Sequence, residues 1–408
     1  MSDNFSRREL LKTTGMIAVG LVAPSWMSTI ARADMFKVSK GGVIDPDCIL
    51  VVCQLSGGND GLNTIVPYAD NRYRELRPTL GVSEDKVIPI NDKVGFHPSL
   101  KGLSDLYKKG KVAVIQNVGY PNPNRSHFKS MDIWQSASPD LSMKHGWVGR
   151  HFDIQVGAGK FSAVSALGLS TDKPLALTAD KASIPCFASL ADIQSMVGDI
   201  DAEKRLREIT TEAGTSTGNV VAEANKTALD AMATLRDRLQ TYTSKSTYGK
   251  DKFGQGFSQV AKLIATSPQT RVIYFSAGGF DTHAKQETTH SRLLEEFSTA
   301  LAAFQAEMEA IGKDKKVMVL VFSEFGRRCY ENASGGTDHG AAGPMFLVGS
   351  RVKGGLHGPI PDLQNLVGGD LKFAIDFRQV YATALEDWMD SDATKVLGSP
   401  FKTLDLIQ

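Results

Sequence analysis

The sequence predicts an α/β fold in which a mainly parallel sheet is flanked by helices. Its short apolar runs are continuous rather than alternating, which suits strands buried on both faces. Amphipathic helical stretches lie between the runs, and three of the four runs end in glycine-containing loops that carry a carboxylate. No internal repeat interrupts this alternation.

From the N-terminus, Arg7-Arg8 precedes an apolar run from Met16 to Ala23, then Pro24 and Ala31-Arg32-Ala33. Charged, apolar and small-x-small segments in that order make a cleaved export signal, and adjacent arginines select the twin-arginine route. The run is too short to span a hydrocarbon core of ~30 Å, so no stable membrane anchor is expected. Residues 1–33 are thus read as the signal, with 34–408 as the mature chain and the twin-arginine translocase as its partner during export. The expected location is periplasmic or extracellular. Formal net charge is +1 over 408 residues, with no basic block after the signal, so nucleic acid is not an expected partner. Cys48 and Cys53 share one expected strand and would lie ~16 Å apart, beyond disulfide reach. The four thiols are read as structural.

The first strand is Cys48 to Leu55, which stops at Ser56-Gly57-Gly58-Asn59-Asp60-Gly61. Val112 to Ile115 is the second and leads into Gly119-Tyr120-Pro121. Val272 to Phe275 is the third and ends near Gly278-Gly279-Phe280-Asp281. Val317 to Phe322 is the fourth and ends at Ser323-Glu324-Phe325-Gly326. Leu293, Phe297, Leu301, Phe304, Met308 and Ile311 recur at helical spacing. Val221 to Leu239 reads as another helix and Val380 to Trp388 as a C-terminal one. The stretch from about 155 to 268 lacks strong strand–loop signals and is read as a helical insertion or cap.

Ligands in open α/β sheets bind beyond the carboxyl ends of the strands. Asp60, Asp281 and Glu324 fall there, and Asp338-His339 follows shortly after. Asp281 and His283 pair a hard oxygen with an imidazole two residues on. Carboxylate plus imidazole suits zinc, manganese or iron, so Asp60, Asp281, His283, Glu324, Asp338 and His339 are candidate ligands for one or two divalent ions. His290, seven residues after His283, reads as a ligand or as a structural or surface residue. Ser126 follows the second strand and should open a helix, where the dipole favours an alkoxide or an incoming anion. It reads either as a nucleophile or as a plain helix cap. His127 beside it is a candidate ligand, acid/base group or packing residue. Arg327 or Arg328 could clamp an anion through paired hydrogen bonds. No dinucleotide fingerprint or P-loop lysine occurs.

Six motifs carry a resemblance. They are Gly57-Gly58-Asn59-Asp60-Gly61-Leu62-Asn63-Thr64, Ser126-His127-Phe128, Gly146-Trp147-Val148-Gly149-Arg150, Phe280-Asp281-Thr282-His283, Ser323-Glu324-Phe325-Gly326-Arg327-Arg328 and Gly336-Thr337-Asp338-His339-Gly340. In this order they resemble the DUF1501 family of exported proteins, from about Asp47 to the C-terminus. That family is in turn similar to the alkaline phosphatase-like superfamily, which includes sulfatases. The resemblance implies an alkaline phosphatase-like fold and a metal-dependent hydrolase of phosphate or sulfate esters. It implies Ser126 as nucleophile, with Asp60, Asp281, His283, Glu324 and His339 or the Asp338–His339 pair as ligands. This chain departs from the superfamily in its Asp-x-His spacing and in having Glu324-Phe325 where Asp-His is usual, and no Cys-x-Pro-x-Arg sequence is present. The substrate expected is an anionic small-molecule or polymer ester. A non-catalytic binding or assembly protein on the same scaffold is the alternative.

Overall fold

The computed structural model describes residues 45–191 and 238–408, together with Leu229, Ala233 and Leu235. The stretch 1–33, expected to be an export signal, and most of the helical pattern expected from Val221 to Leu239 lie outside the described residues. Two compact units divide the chain. The larger is drawn from 45–143, 243–261 and 275–408, and the smaller from 144–242 and 262–274.

The chain runs β1 (Ile49–Ser56), the one-turn helix α1 (Gly61–Thr64), β2 (Ile65–Val66), α2 (Asn71–Leu76), β3 (Ile88–Pro89) and β4 (Gly95–Phe96). Next come α3 (Lys101–Lys108), β5 (Val112–Gly119), α4 (His127–Ser136), α5 (Trp147–Gly157), β6 (Ala166–Leu169) and β7 (Cys186–Phe187). After these follow α6 (Lys252–Thr266), β8 (Val272–Gly278), α7 (Gln286–Ala310), β9 (Val317–Phe322) and β10 (Gly343–Val348). The last elements are β11 (Gly355–His357), β12 (Ile375–Asp376), α8 (Phe377–Thr383) and α9 (Ala393–Leu397).

In the larger unit the strand order is β11-β5-β10-β9-β1, with β12 also on β5. β1 and β9 are parallel in register from Ile49/Val317 to Gln54/Phe322, and β11 and β12 are parallel to β5. All of β5 and β9, and β1 from Ile49 to Leu55, are buried. Cover on both faces is why these strands read as unbroken apolar runs. The exception to parallel order is β10, antiparallel to both β5 and β9. Its sequence, GPMFLV, opens on Gly-Pro and is not among the strands expected from the sequence.

The α7 stripe is the predicted one: Leu293, Phe297, Leu301, Phe304 and Met308 are buried. Ile311 caps the helix end instead of extending its face. Phe253 of α6 meets Phe297 edge-on with 5.4 Å between ring centroids, and Phe257 tilts against Phe304 at 5.2 Å. Each such side chain contributes about 1.5–3 kcal/mol by leaving water. At the C-terminus, α8 passes into a π-helical turn, Ala384–Trp388, and Trp388 Nε1 donates to Ile49 O at 3.1 Å.

In the smaller unit, β6 and β7 pair in parallel with Gly168 opposite Cys186. The described residues of 155–268 hold these two strands and α6. All four cysteines are free, and burial pushes the Cys48 thiol up to about 11 and Cys329 to about 12. Among the described residues no helix is long and apolar enough to cross a membrane.

Candidate functional site

Because β1 and β9 run parallel, the loops after them open at one edge of the sheet. The loop after β8 is tied to the same edge, since Gly279 N and Phe280 N both donate to Ser56 O. Gly57 and Gly58 have φ of 119° and 76°. A Cβ on Gly57 would lie 2.4 Å from Asp281 N, and one on Gly58 would lie 2.2 Å from the Phe325 ring. Glycine here is therefore what lets three loops close together. Gly57 N donates to Glu324 Oε1 at 2.7 Å, locking the first loop to the fourth.

The convergence point is Asp281 Oδ1. His283 Nε2 lies 3.0 Å from it, His339 Nε2 3.1 Å and His127 Nε2 3.3 Å. Arg327 Nη2 donates to the same oxygen at 2.6 Å. His283 Nε2 and His339 Nε2 are 2.9 Å apart. The other ring nitrogen of each histidine has its own acceptor: Glu324 Oε1 for His127 at 2.9 Å, Asp338 Oδ1 for His283 at 3.0 Å, and Arg125 O for His339 at 2.7 Å. Those acceptors favour protons on Nδ1, which turns the Nε2 lone pairs toward Asp281 and one another.

Facing groups at such distances suit a shared cation, either a proton on one Nε2 or a metal ion among them. Among the described residues His127 Nε2 is buried with no well-formed hydrogen bond, its contact with Asp281 Oδ1 being 3.3 Å. His127, Asp281 and His339 bring their ligand atoms within 4.8 Å of one another, and His283 closes on two of the three. A tetrahedral ion with bonds of about 2.0–2.1 Å separates its ligands by about 3.4 Å, close to the spacings around Asp281. Asp281 pairs with the buried Arg327 guanidinium, while Glu324 and Asp338 back His127 and His283 with negative charge. The residues present fit a divalent metal with nitrogen and oxygen ligands.

The charges around the point agree. Burial alone would raise the Asp281 carboxyl, but bonds from Arg327 and His339 outweigh it and hold it at about 2. The Glu324 hydrogen bond lifts His127 above the ordinary histidine range despite burial, whereas burial lowers His339. Bonds from Asn332 and His283 lower Asp338.

Not every candidate reaches this point. Asp60 is fully buried and bound by both terminal nitrogens of Arg77, at 2.6 and 2.9 Å, and by Gln286 Nε2. Arg327 cannot clamp a substrate: its N–H groups go to Gly57 O, Gly58 O, Phe280 O, Thr337 O and Asp281. Glu324 and Asp338 stand behind histidines rather than at the centre. His290 lies in the interior, with Nε2 on Asn59 Oδ1 at 2.9 Å. Arg328 is partly exposed and bonds Tyr330 OH and Gly368 O. Ser126 precedes α4 as expected, with its side chain exposed and making no cap bond.

Gln286 and Asn332 are parts that sequence reasoning did not find. Gln286 Oε1 accepts from Thr282 Oγ1 at 2.9 Å and Thr337 Oγ1 at 2.6 Å, so one amide spans both ligand loops and Asp60. Asn332 Nδ2 donates to His283 O at 3.0 Å and Asp338 Oδ1 at 3.1 Å. Neither residue has a motif signal, since a lone amide in sequence carries no marker of its partners.

Behind the centre, burial pushes His97 down to about 4 and His290 down to about 3. An unfolded chain protonates both near 6.5. Their contribution to stability is whole above that pH and lost as the pH falls toward 4, because the unfolded state takes up protons that the fold refuses. Melting temperature should fall from pH 6.5 to 4.5, less steeply in the His97→Gln/His290→Gln variant. Parallel falls in both proteins would show that other groups govern acid stability.

A family model described as "Protein of unknown function (DUF1501)" matches residues 46–397. No curated protein matches the chain. Among solved structures it is similar to the C-terminal periplasmic domain of EcEptC from Escherichia coli in complex with Zn. That match has 10% identity and a TM-score of 0.36, and covers 74% of this chain and 73% of that one. It is also similar to the PsFucS1 sulfatase from Pseudoalteromonas sp., at 9% identity and a TM-score of 0.35, covering 88% and 70%. The alkaline phosphatase from the Antarctic bacterium TAB5 matches at 11% identity and a TM-score of 0.30, covering 74% and 91%. At TM-scores below 0.5 these likenesses bear on no residue's role.

Proposed function

The chain belongs to the DUF1501 family, and from its strand-end cluster we propose that it is an exported, metal-dependent hydrolase of phosphate or sulfate esters with Ser126 as nucleophile. The observation that carries this is the convergence of three imidazole Nε2 atoms on Asp281 Oδ1, each ring held from behind by its own acceptor. His127, His339 and Asp281 would hold the ion, with His283 beside them. One ion is expected rather than two, because Arg77 neutralises Asp60 and Arg327 already sits on Asp281. When bound, a divalent ion supplies positive charge to the oxyanion of the transition state and favours ionisation of a nearby hydroxyl.

Ser126 lies between two residues that touch the cluster, since Arg125 O receives His339 Nδ1 and His127 is the next residue. Its oxygen forms the new bond to phosphorus or sulfur. The ester bond breaks, and the departing oxygen leaves with the serine proton as an alcohol. Water then hydrolyses the seryl ester. Arg328 borders the site and offers positive charge to the non-bridging oxygens. Export by the twin-arginine translocase is part of the reading and rests on Arg7-Arg8 and the segment behind them.

Elemental analysis of protein purified without chelators tests the reading. The wild type should carry or take up about one equivalent of zinc, manganese or iron, and the Asp281→Ala/His339→Ala variant should not. A wild type that holds no metal and takes up none on addition removes the metallohydrolase and leaves the binding or assembly protein.

A further inference from the structure

Four large apolar side chains stand out as strongly exposed among the described residues: Phe128 at 79%, Val367 at 63%, Leu141 at 43% and Tyr330 at 39%. Scattered exposed apolar groups are ordinary. Three of the four lie on segments that border the histidine cluster. Phe128 follows His127 directly in the first turn of α4. Tyr330 lies two residues from Arg328, whose guanidinium is 5.2 Å from its ring centroid. Val367 opens a tight hairpin that closes on Asp370 through paired backbone bonds. Gly368 and Gly369 form its turn with φ of 59° and 87°, and a Cβ on Gly369 would lie 2.8 Å from the Tyr330 ring.

Charge is fixed in the same place. Buried Asp370 accepts from Arg125 Nε at 3.0 Å and from Arg125 Nη2, and its other oxygen lies 4.0 Å from Arg328 Nε. Two guanidinium groups thus flank one carboxylate, leaving a net positive charge. Arg125 Nη1 and Arg328 Nη2 have no bond to the described residues. The knot is joined to the cluster through backbone: Arg125 O accepts from His339, and Arg328 N donates to Asp338 O at 3.0 Å.

We infer that Phe128, Tyr330 and Val367 form a subsite for a flat apolar group attached to the anion that Arg125 and Arg328 receive, so that the substrate is an amphiphilic ester rather than a bare phosphate or sulfate. This deepens the proposed hydrolase and rests on it for the reaction, but the recognition itself needs no turnover. Apolar area beside positive charge is the complement of such a ligand. Covering about 50–60 Å² of apolar surface favours binding about tenfold.

Naphthalene-2-sulfonate and methanesulfonate carry the same single charge and cannot be hydrolysed as esters, so their ratio of affinities isolates the apolar part. Titration calorimetry on the full chain should show the aryl sulfonate binding about tenfold tighter or more. Phe128→Ser and Val367→Ser should each bring the two affinities closer together and leave methanesulfonate unchanged. Equal binding of the two probes by the wild type overturns the inference, as does a preference that neither variant alters. A Phe128→Ser effect seen only as lost self-association in sedimentation also overturns it, and makes the patch a contact between copies. Metal content measured on the same samples separates the two readings. Loss of the metal weakens both sulfonates alike and leaves their ratio standing.

Discussion

Ser126→Ala is expected to slow ester turnover by about 10⁴- to 10⁶-fold while metal content and melting temperature stay at wild-type values. Two roles for Ser126 were open from sequence, nucleophile or helix cap. A capping hydroxyl would accept from a backbone N–H in the first turn of α4, and this one does not. Its own N–H is instead held by Asn124 Oδ1 at 2.9 Å, which fixes the backbone and leaves the exposed hydroxyl to turn. The uncapped N–H groups of a ten-residue helix favour negative charge where the attacking oxygen and the ester oxygens would meet. Loss of a true cap would cost about 1 kcal/mol of stability with little effect on rate, the opposite pattern. Measuring turnover and melting together therefore separates the roles. Normal turnover in the variant would remove the covalent step, and loss of metal along with rate would make Ser126 a ligand.

How far the sequence led can be judged residue by residue. The four apolar runs were legible because both their faces are covered, so no polar alternation masks them. β10 was not, because its six residues begin with Gly-Pro and follow a long loop. In the site, Asp281, His283 and His339 were legible from carboxylate–imidazole spacing after a strand, and the structure gathers them. His127 was legible as a polar residue at the right strand end, though its role was left open. What could not be read was how charge is shared among distant residues. A buried aspartate and a metal-binding aspartate look alike in a glycine-rich loop. Only the partner distinguishes them, and Asp60 finds Arg77 through the fold. The same holds for Arg327, whose guanidinium points inward to four backbone carbonyls rather than out to a ligand.

Arg77→Met should therefore destabilise the protein by about 3–5 kcal/mol at neutral pH, since it leaves the buried Asp60 carboxylate without its counter-charge. Both side chains are fully buried, and Arg77 also donates to Cys329 O and Arg328 O, each at 2.9 Å. The dependence on pH should change sign. In the wild type, burial would raise the Asp60 carboxyl but Arg77 holds it below the ordinary value. That contribution is present above the unfolded value near 3.9 and lost as pH falls. Without Arg77, burial acts unopposed, the carboxyl takes up a proton in the fold, and the penalty shrinks as the solution is acidified. Asp60→Asn in the same chain should recover much of the loss, because a neutral amide needs no counter-charge and its oxygen can still accept from Gln286. Denaturant unfolding of the single and double variants at pH 5 and pH 8 would show this pattern. A single variant losing under about 1 kcal/mol at both pH values would mean that the pair is not what holds this region. The consequence for the site follows through Gln286, which joins Asp60 to Thr282 and Thr337. Those threonines adjoin Asp281, His283 and Asp338, so a displaced Asp60 should loosen the ligand loops and lower metal affinity by about 10–100-fold, the usual cost of losing outer support.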